Sequence, residues 1–79
     1  MGIWKENDNS LEAKIKFEDF KEAWGFLSKV AIIAEEMNHH PDWRNVYNQV
    51  EIRLTTHDKG NAITEKDRQM AAAIEKLLA

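Results

Sequence analysis

"LEAKIKFEDFKEAWGFLSKVAIIAEEM", residues 11 to 37, changes its period once, and that change decides the fold. From Leu11 to Phe17 apolar and charged residues alternate: Leu11, Ala13, Ile15 and Phe17 against Glu12, Lys14 and Lys16. A period of two is that of a strand with one buried face. From residue 18 to 37 the spacing becomes helical, with Phe20, Ala23, Trp24, Leu27, Val30, Ala31 and Ala34 on one predicted face. Phe26 and Ile33 widen that stripe, and Ile32 lies opposite it. Acidic Glu18 and Asp19 suit the positive end of the helix dipole. An apolar surface this broad exceeds what one sheet covers. It is read equally as scattered exposed residues or as a subunit interface.

Upstream, "IWKE" (3–6) and "NDNS" (7–10) read as a first strand and a polar turn. Downstream, Pro41 stops the helix and the chain becomes extended. "WRNVYN" (43–48) is a short strand or a lead-in to "VEIRL" (50–54), where Val50, Ile52 and Leu54 alternate with Glu51 and Arg53. "HDKGNA" (57–62) has turn composition. "TEKDRQMAAAIEKLLA" (64–79) is a helix with Thr64 as N-cap and Asp67 at N3 of a capping box, and Met70, Ile74, Leu77 and Leu78 form its stripe. The order strand-strand-helix-strand-helix predicts one α+β domain over 1–79, a two-layer sandwich of antiparallel sheet with helices on one face.

Composition bounds the function. The 79 residues are 43% hydrophobic and 32% charged, an ordinary globule near the lower size limit for one unaided core. Burial against a second copy is therefore expected. The net charge of −3 argues against nucleic-acid binding, which needs a basic face. No apolar run reaches membrane-spanning length, the opening lacks a signal-peptide core, and Glu6 stands where a myristoylation signal wants Ser or Thr. With no cysteine, disulfide and thiolate-metal sites are excluded, which fits a reducing compartment. A cytoplasmic protein is the expectation.

The chemistry-bearing residues cluster in "EEMNHHPDW" (35–43) and at His57. Imidazole titrates near neutrality and exchanges protons without large tuning. His39 and His40 are neighbours on a helix end, so they point about 100° apart. Judged by residue type alone, a His pair there is more often only a favourable charge at the negative end of the dipole. Trp43 is more often core, and capping explains Asp67. Zinc ranks below acid-base work, because adjacent histidines are a poor chelating spacing.

The ordered combination "EEMNHHPDWRNVYNQVEIRLTTH" followed by "ITEKD" (residues 35–67) resembles the signature of the pterin-4a-carbinolamine dehydratase family, and "FKEAWGFLSKVA" resembles the helix before it. The resemblance implies metal-free removal of water from 4a-hydroxytetrahydropterin to give quinonoid dihydropterin, with no cofactor besides the pterin substrate. It also implies a link to an aromatic amino acid hydroxylase, whose pterin that reaction regenerates. By position it makes His39, His40 and His57 the acid-base set, and makes Glu35, Pro41, Trp43 and Asp67 substrate-binding or orienting residues. Three departures stand out. The sequence opens almost at the first strand, so a domain lacking the family's usual N-terminal helix is expected; Asn38 replaces an Asp found in some members; and the turn before Asp67 is one residue longer than in some. A homodimer or homotetramer is expected. The competing expectation is a non-catalytic pterin-binding or protein-binding module of the same fold.

Overall fold

The computed structural model describes residues 2–78. Strands β1 (Lys5–Glu6), β2 (Leu11–Lys16), β3 (Asp42–Val46) and β4 (Gln49–Leu54) form one sheet in the order β1-β2-β4-β3, and every neighbouring pair is antiparallel. Helices α1 (Phe20–Met37) and α2 (Glu65–Lys76) cover one face, giving the α+β two-layer sandwich that the periodicities predict. The inward positions are the expected ones: Leu11 and Ala13 of β2, and Val50, Ile52 and Leu54 of β4, are all buried. The register sets Ala13 beside Ile52 and Ile15 beside Val50, so the two central strands present one continuous apolar surface to the helices.

The opposite face follows from the same alternation. Lys5, Glu12, Arg53 and Asp42 stand in one row across the four strands, and Lys14, Glu51 and Arg44 in the next. Charge alternates along each row, with Arg53 3.8 Å from Glu12 and Arg44 4.0 Å from Glu51. Such solvated pairs contribute about 0–1 kcal/mol each. They keep this face polar rather than hold the sheet together.

Several boundaries move, each for a local reason. Helix α1 starts at Phe20, not at residue 18, because Asp19 is extended and caps it, its carboxylate accepting from the Glu22 N–H at 2.8 Å. The Glu22 carboxylate in turn accepts from the Glu18 N–H at 2.8 Å. The buried stripe of α1 is Ala23, Phe26, Leu27, Val30 and Ala34, with Ile33 and Met37 packed against it. The expectation that Phe20, Trp24 and Ala31 belong to that face is thus corrected. All three point outward, Phe20 stacked on Trp24 with ring centroids 6.1 Å apart. A stripe this wide can be docked at more than one rotation, and the sheet selects the side carrying Phe26.

The segment "WRNVYN" resolves into strand β3 and a two-residue turn, Tyr47 and Asn48, to β4. Tyr47 takes a left-handed backbone (φ 53), which costs a bulky residue about 1–2 kcal/mol. Side chains brace it. The Asn45 amide donates to the Tyr47 and Gln49 carbonyls, and the Asn48 amide to that of Phe17. The first strand shrinks to Lys5–Glu6, because Trp4 leaves it to pack in the core, its indole N–H donating to the Ala71 carbonyl at 3.0 Å. On α2, Met70, Ala71 and Ile74 are buried and Leu77, the C-cap, packs half-buried against the core as expected, whereas Leu78 is exposed. The turn "HDKGNA" contains a single 3₁₀ turn, His57–Lys59, closed by a bridge between Thr56 and Ala62. Among the described residues, no helix is long and apolar enough to cross a membrane.

Candidate active site

The site is assembled where three element ends meet: the end of α1, the segment after β4 and the start of α2. Helix α1 stops in a Schellman motif. The His39 N–H reaches back to the Ala34 carbonyl at 3.1 Å and the Asn38 N–H to that of Glu35 at 3.3 Å, with Asn38 left-handed (φ 51, ψ 44). Asparagine tolerates this conformation better than most residues. Its place is thus explained by the backbone, while a carboxylate for His39 comes from elsewhere in the chain.

That carboxylate is Asp67. The His39 Nε2–H donates to Asp67 Oδ1 at 2.5 Å, between a side chain 11% exposed and one fully buried. Asp67 Oδ2 accepts from the Thr64 N–H at 2.8 Å, the reciprocal arm of the capping box, and from the Thr56 hydroxyl at 2.8 Å. Capping and site chemistry therefore use the two oxygens of one group. Burial pushes the Asp67 carboxyl up, but the Thr64 N–H, the His39 and Thr56 hydrogen bonds and the His39 charge together outweigh it. The group is held below its ordinary value of 3.8.

The other two imidazoles are held on one nitrogen each and are more open. His40 Nε2–H donates to Glu35 Oε1 at 2.8 Å, reaching back along the end of α1, with both side chains exposed. His57 Nδ1–H donates to Asn61 Oδ1 at 2.8 Å across the 3₁₀ turn. Asn61 is itself left-handed (φ 59), directly after left-handed Gly60 (φ 69). The nitrogens left without these partners are Nδ1 of His39, Nδ1 of His40 and Nε2 of His57.

Of the residues singled out in the sequence, the structure joins His39 to Asp67 and His40 to Glu35. It sets His57 immediately after Thr56, which is hydrogen-bonded to Asp67. Pro41 carries the chain from the end of α1 into β3. Trp43 stands opposite Ile52 on the helix-covered face and packs against the core. Sequence reasoning missed Thr56 and Asn61, and it credited Thr64 with capping alone. The signal for Thr56 was present: it continues the inward parity of Val50, Ile52 and Leu54. A polar residue at a buried position needs a partner.

Two concavities bear on the site. One, of about 230 Å³, is lined by Thr56, Asp58, Lys59, Thr64, Glu65 and Lys66, beside the Asp67 network. The other, of about 260 Å³, lies on the sheet among Glu12, Trp43, Arg44, Glu51 and Arg53, and none of the three histidines lines either concavity. The first adjoins Thr56 and Thr64, which contact Asp67, and the second joins the alternating charges of the sheet face to Trp43. Among the described residues, no three His, Cys, Asp or Glu side chains stand close enough to hold a metal ion together.

The family model described as pterin 4 alpha carbinolamine dehydratase matches residues 2–77. A relative from Prochlorococcus marinus (strain NATL2A), provisionally named a pterin-4-alpha-carbinolamine dehydratase, is 52% identical over 75 residues, covering 95% of this chain and 78% of its own length. One from Paraburkholderia xenovorans, with the same provisional name, is 49% identical over 71 residues, covering 90% and 73%. Among solved structures, a Brucella melitensis protein described as a transcriptional coactivator/pterin dehydratase superposes with a TM-score of 0.92 at 36% identity, over 99% of this chain and 84% of that one. A pterin dehydratase-like protein described as a RuBisCO assembly factor in the alpha-carboxysome superposes at 0.76 with 23% identity, over 94% and 84%, a likeness of fold alone.

Proposed function

The chain belongs to the pterin 4 alpha carbinolamine dehydratase family, and on that premise we propose that it removes water from a 4a-hydroxytetrahydropterin by histidine acid-base catalysis. The observation that carries the reading is the hydrogen bond between half-buried His39 and fully buried Asp67. In this reaction the C4a–O bond breaks and the hydroxyl leaves as water after taking a proton. A proton lost from N5 lets the C4a=N5 double bond of the quinonoid dihydropterin form. One group must give a proton and another accept one; neither a nucleophile nor a change of oxidation state is needed.

The partners of each imidazole support a division of labour. Asp67 holds the proton of His39 on Nε2, so Nδ1 presents a lone pair, and the carboxylate stabilises the imidazolium formed when Nδ1 takes the pterin proton. We assign proton donation to His57 or His40: as an imidazolium, either ring would keep its N–H to Asn61 or Glu35 and give the proton of its other nitrogen to the departing hydroxyl. Glu35 orients His40, and Asn61 orients His57. The dihydropterin so formed would return to an aromatic amino acid hydroxylase through a reductase.

A second reading, a non-catalytic protein-binding module, draws on the exposed Phe20 and Trp24 of α1 and on the assembly factor that shares the fold. A stopped-flow assay of 4a-hydroxytetrahydropterin dehydration, with and without the protein and with a chelator present, separates the two. Accelerated dehydration that the chelator leaves unchanged is expected. A rate equal to the uncatalysed one would reject the enzyme and favour the module.

A further inference from the structure

We infer that Thr56 is a positioning residue: its hydroxyl anchors the Asp67 carboxylate and thereby decides which nitrogen of His39 carries the proton. The consequence for turnover rests on the dehydratase reading above; the consequence for the imidazole does not.

Thr56 is 5% exposed and stands at an inward position just past the end of β4. Its Oγ1 lies 2.8 Å from Asp67 Oδ2 and 2.7 Å from Thr64 Oγ1. A hydroxyl has one proton to give, and the distances assign the protons. Thr64 Oγ1 is 3.5 Å from Asp67 Oδ2, too far for a good hydrogen bond, so its proton goes to Thr56 Oγ1, whose own proton goes to Asp67. The result is a hydrogen-bond network in which Thr64 donates to Thr56, and Thr56 and His39 both donate to Asp67, joining the segment after β4, the start of α2 and the end of α1.

The second anchor matters because the terminal torsion of an aspartate is broad. Held by the Thr64 N–H alone, the carboxylate can turn about that contact and carry Oδ1 away from His39. Two donors on Oδ2, one from the backbone and one from Thr56, fix its plane and aim Oδ1 at Nε2. His39 then keeps the Nε2–H tautomer and an open Nδ1. Without the Thr56 hydroxyl the imidazole is free to exchange tautomers, and the fraction presenting a bare Nδ1 to the pterin falls.

Thr56→Val keeps the shape of the side chain and removes the donor, while Thr56→Ser keeps the donor and removes the methyl group. Proton–nitrogen correlation spectra of the imidazoles, with the His39 signals identified through His39→Gln, report the tautomer without reference to activity. The parent and Thr56→Ser are expected to show Nε2 protonated and Nδ1 bare, and Thr56→Val a mixture. In turnover, Thr56→Val should lower kcat about ten-fold with little change in KM, and Thr56→Ser should stay within about three-fold of the parent even if it melts earlier. Should the valine protein fail to fold, Thr56→Ala is read in its place. A donor-less variant that retains the parent tautomer and kcat overturns the inference, as does a serine variant as impaired as the donor-less one. If the parent itself does not dehydrate the pterin, the dehydratase reading falls, while the imidazole spectra still decide the role of Thr56.

Discussion

Replacing Asp67 by asparagine keeps the volume of a fully buried side chain and removes its charge, so the variant isolates what the carboxylate contributes. In the parent, Oδ2 accepts from the Thr64 N–H and the Thr56 hydroxyl and Oδ1 from His39. An asparagine oxygen can replace Oδ2, but its NH₂ then faces His39 Nε2, which must turn its own proton away to accept. Two charge-assisted bonds become neutral ones of roughly half the strength, and the third is inverted. At about 1 kcal/mol for each change, the loss is about 2–3 kcal/mol. A domain of this size has roughly 4–12 kcal/mol of stability in all, so the change removes a large share. The expected fall in Tm is about 10–20 °C. Urea unfolding followed by the fluorescence of the three tryptophans measures it directly. The pH dependence has a definite sign. Because Asp67 titrates below 3.8 in the folded protein, its charge stabilises fully above that value, and the contribution is lost as the pH falls through the folded pKa. The gap between parent and variant should therefore be complete at about pH 7 and shrink on going to about pH 2.5. A variant within about 0.5 kcal/mol of the parent at neutral pH, or a gap indifferent to acid, refutes the account of the network.

Three more predictions follow from other parts of the molecule. His39→Gln and His57→Gln should each slow dehydration by about 10²- to 10⁴-fold while remaining folded in a thermal melt, and parent-like rates in both would remove the histidines from the chemistry. Asn38→Ala should cost about 1 kcal/mol in urea unfolding and Asn38→Gly almost nothing, since the left-handed C′ position is the demand there; equal costs would contradict that. The outward Phe20, Trp24 and Ile32 of α1 lead us to expect a dimer or tetramer in sedimentation, dissociated by Trp24→Glu, and a parent that sediments as a monomer at micromolar concentration would end that expectation.

What the sequence by itself determined is local. The change of period at Phe17 and Glu18 separates β2 from α1, because alternation and helical spacing are set by backbone geometry within a few residues. Val50, Ile52 and Leu54 are legible as one buried face for the same reason, and the Thr64–Asp67 cap needs only its own helix turn. The histidines were legible as an ordered motif, not as a geometry. The tertiary structure decided the rest. It chose which side of the wide α1 stripe is buried, turning Phe26 in and Phe20 and Trp24 out, because the helical period alone allows more than one rotation against the sheet. It also brought Asp67 to His39 across 28 positions and set Thr56 behind it. A side-chain hydrogen bond between the end of one helix and the start of another depends on how both pack, and no local pattern in the chain carries that distance.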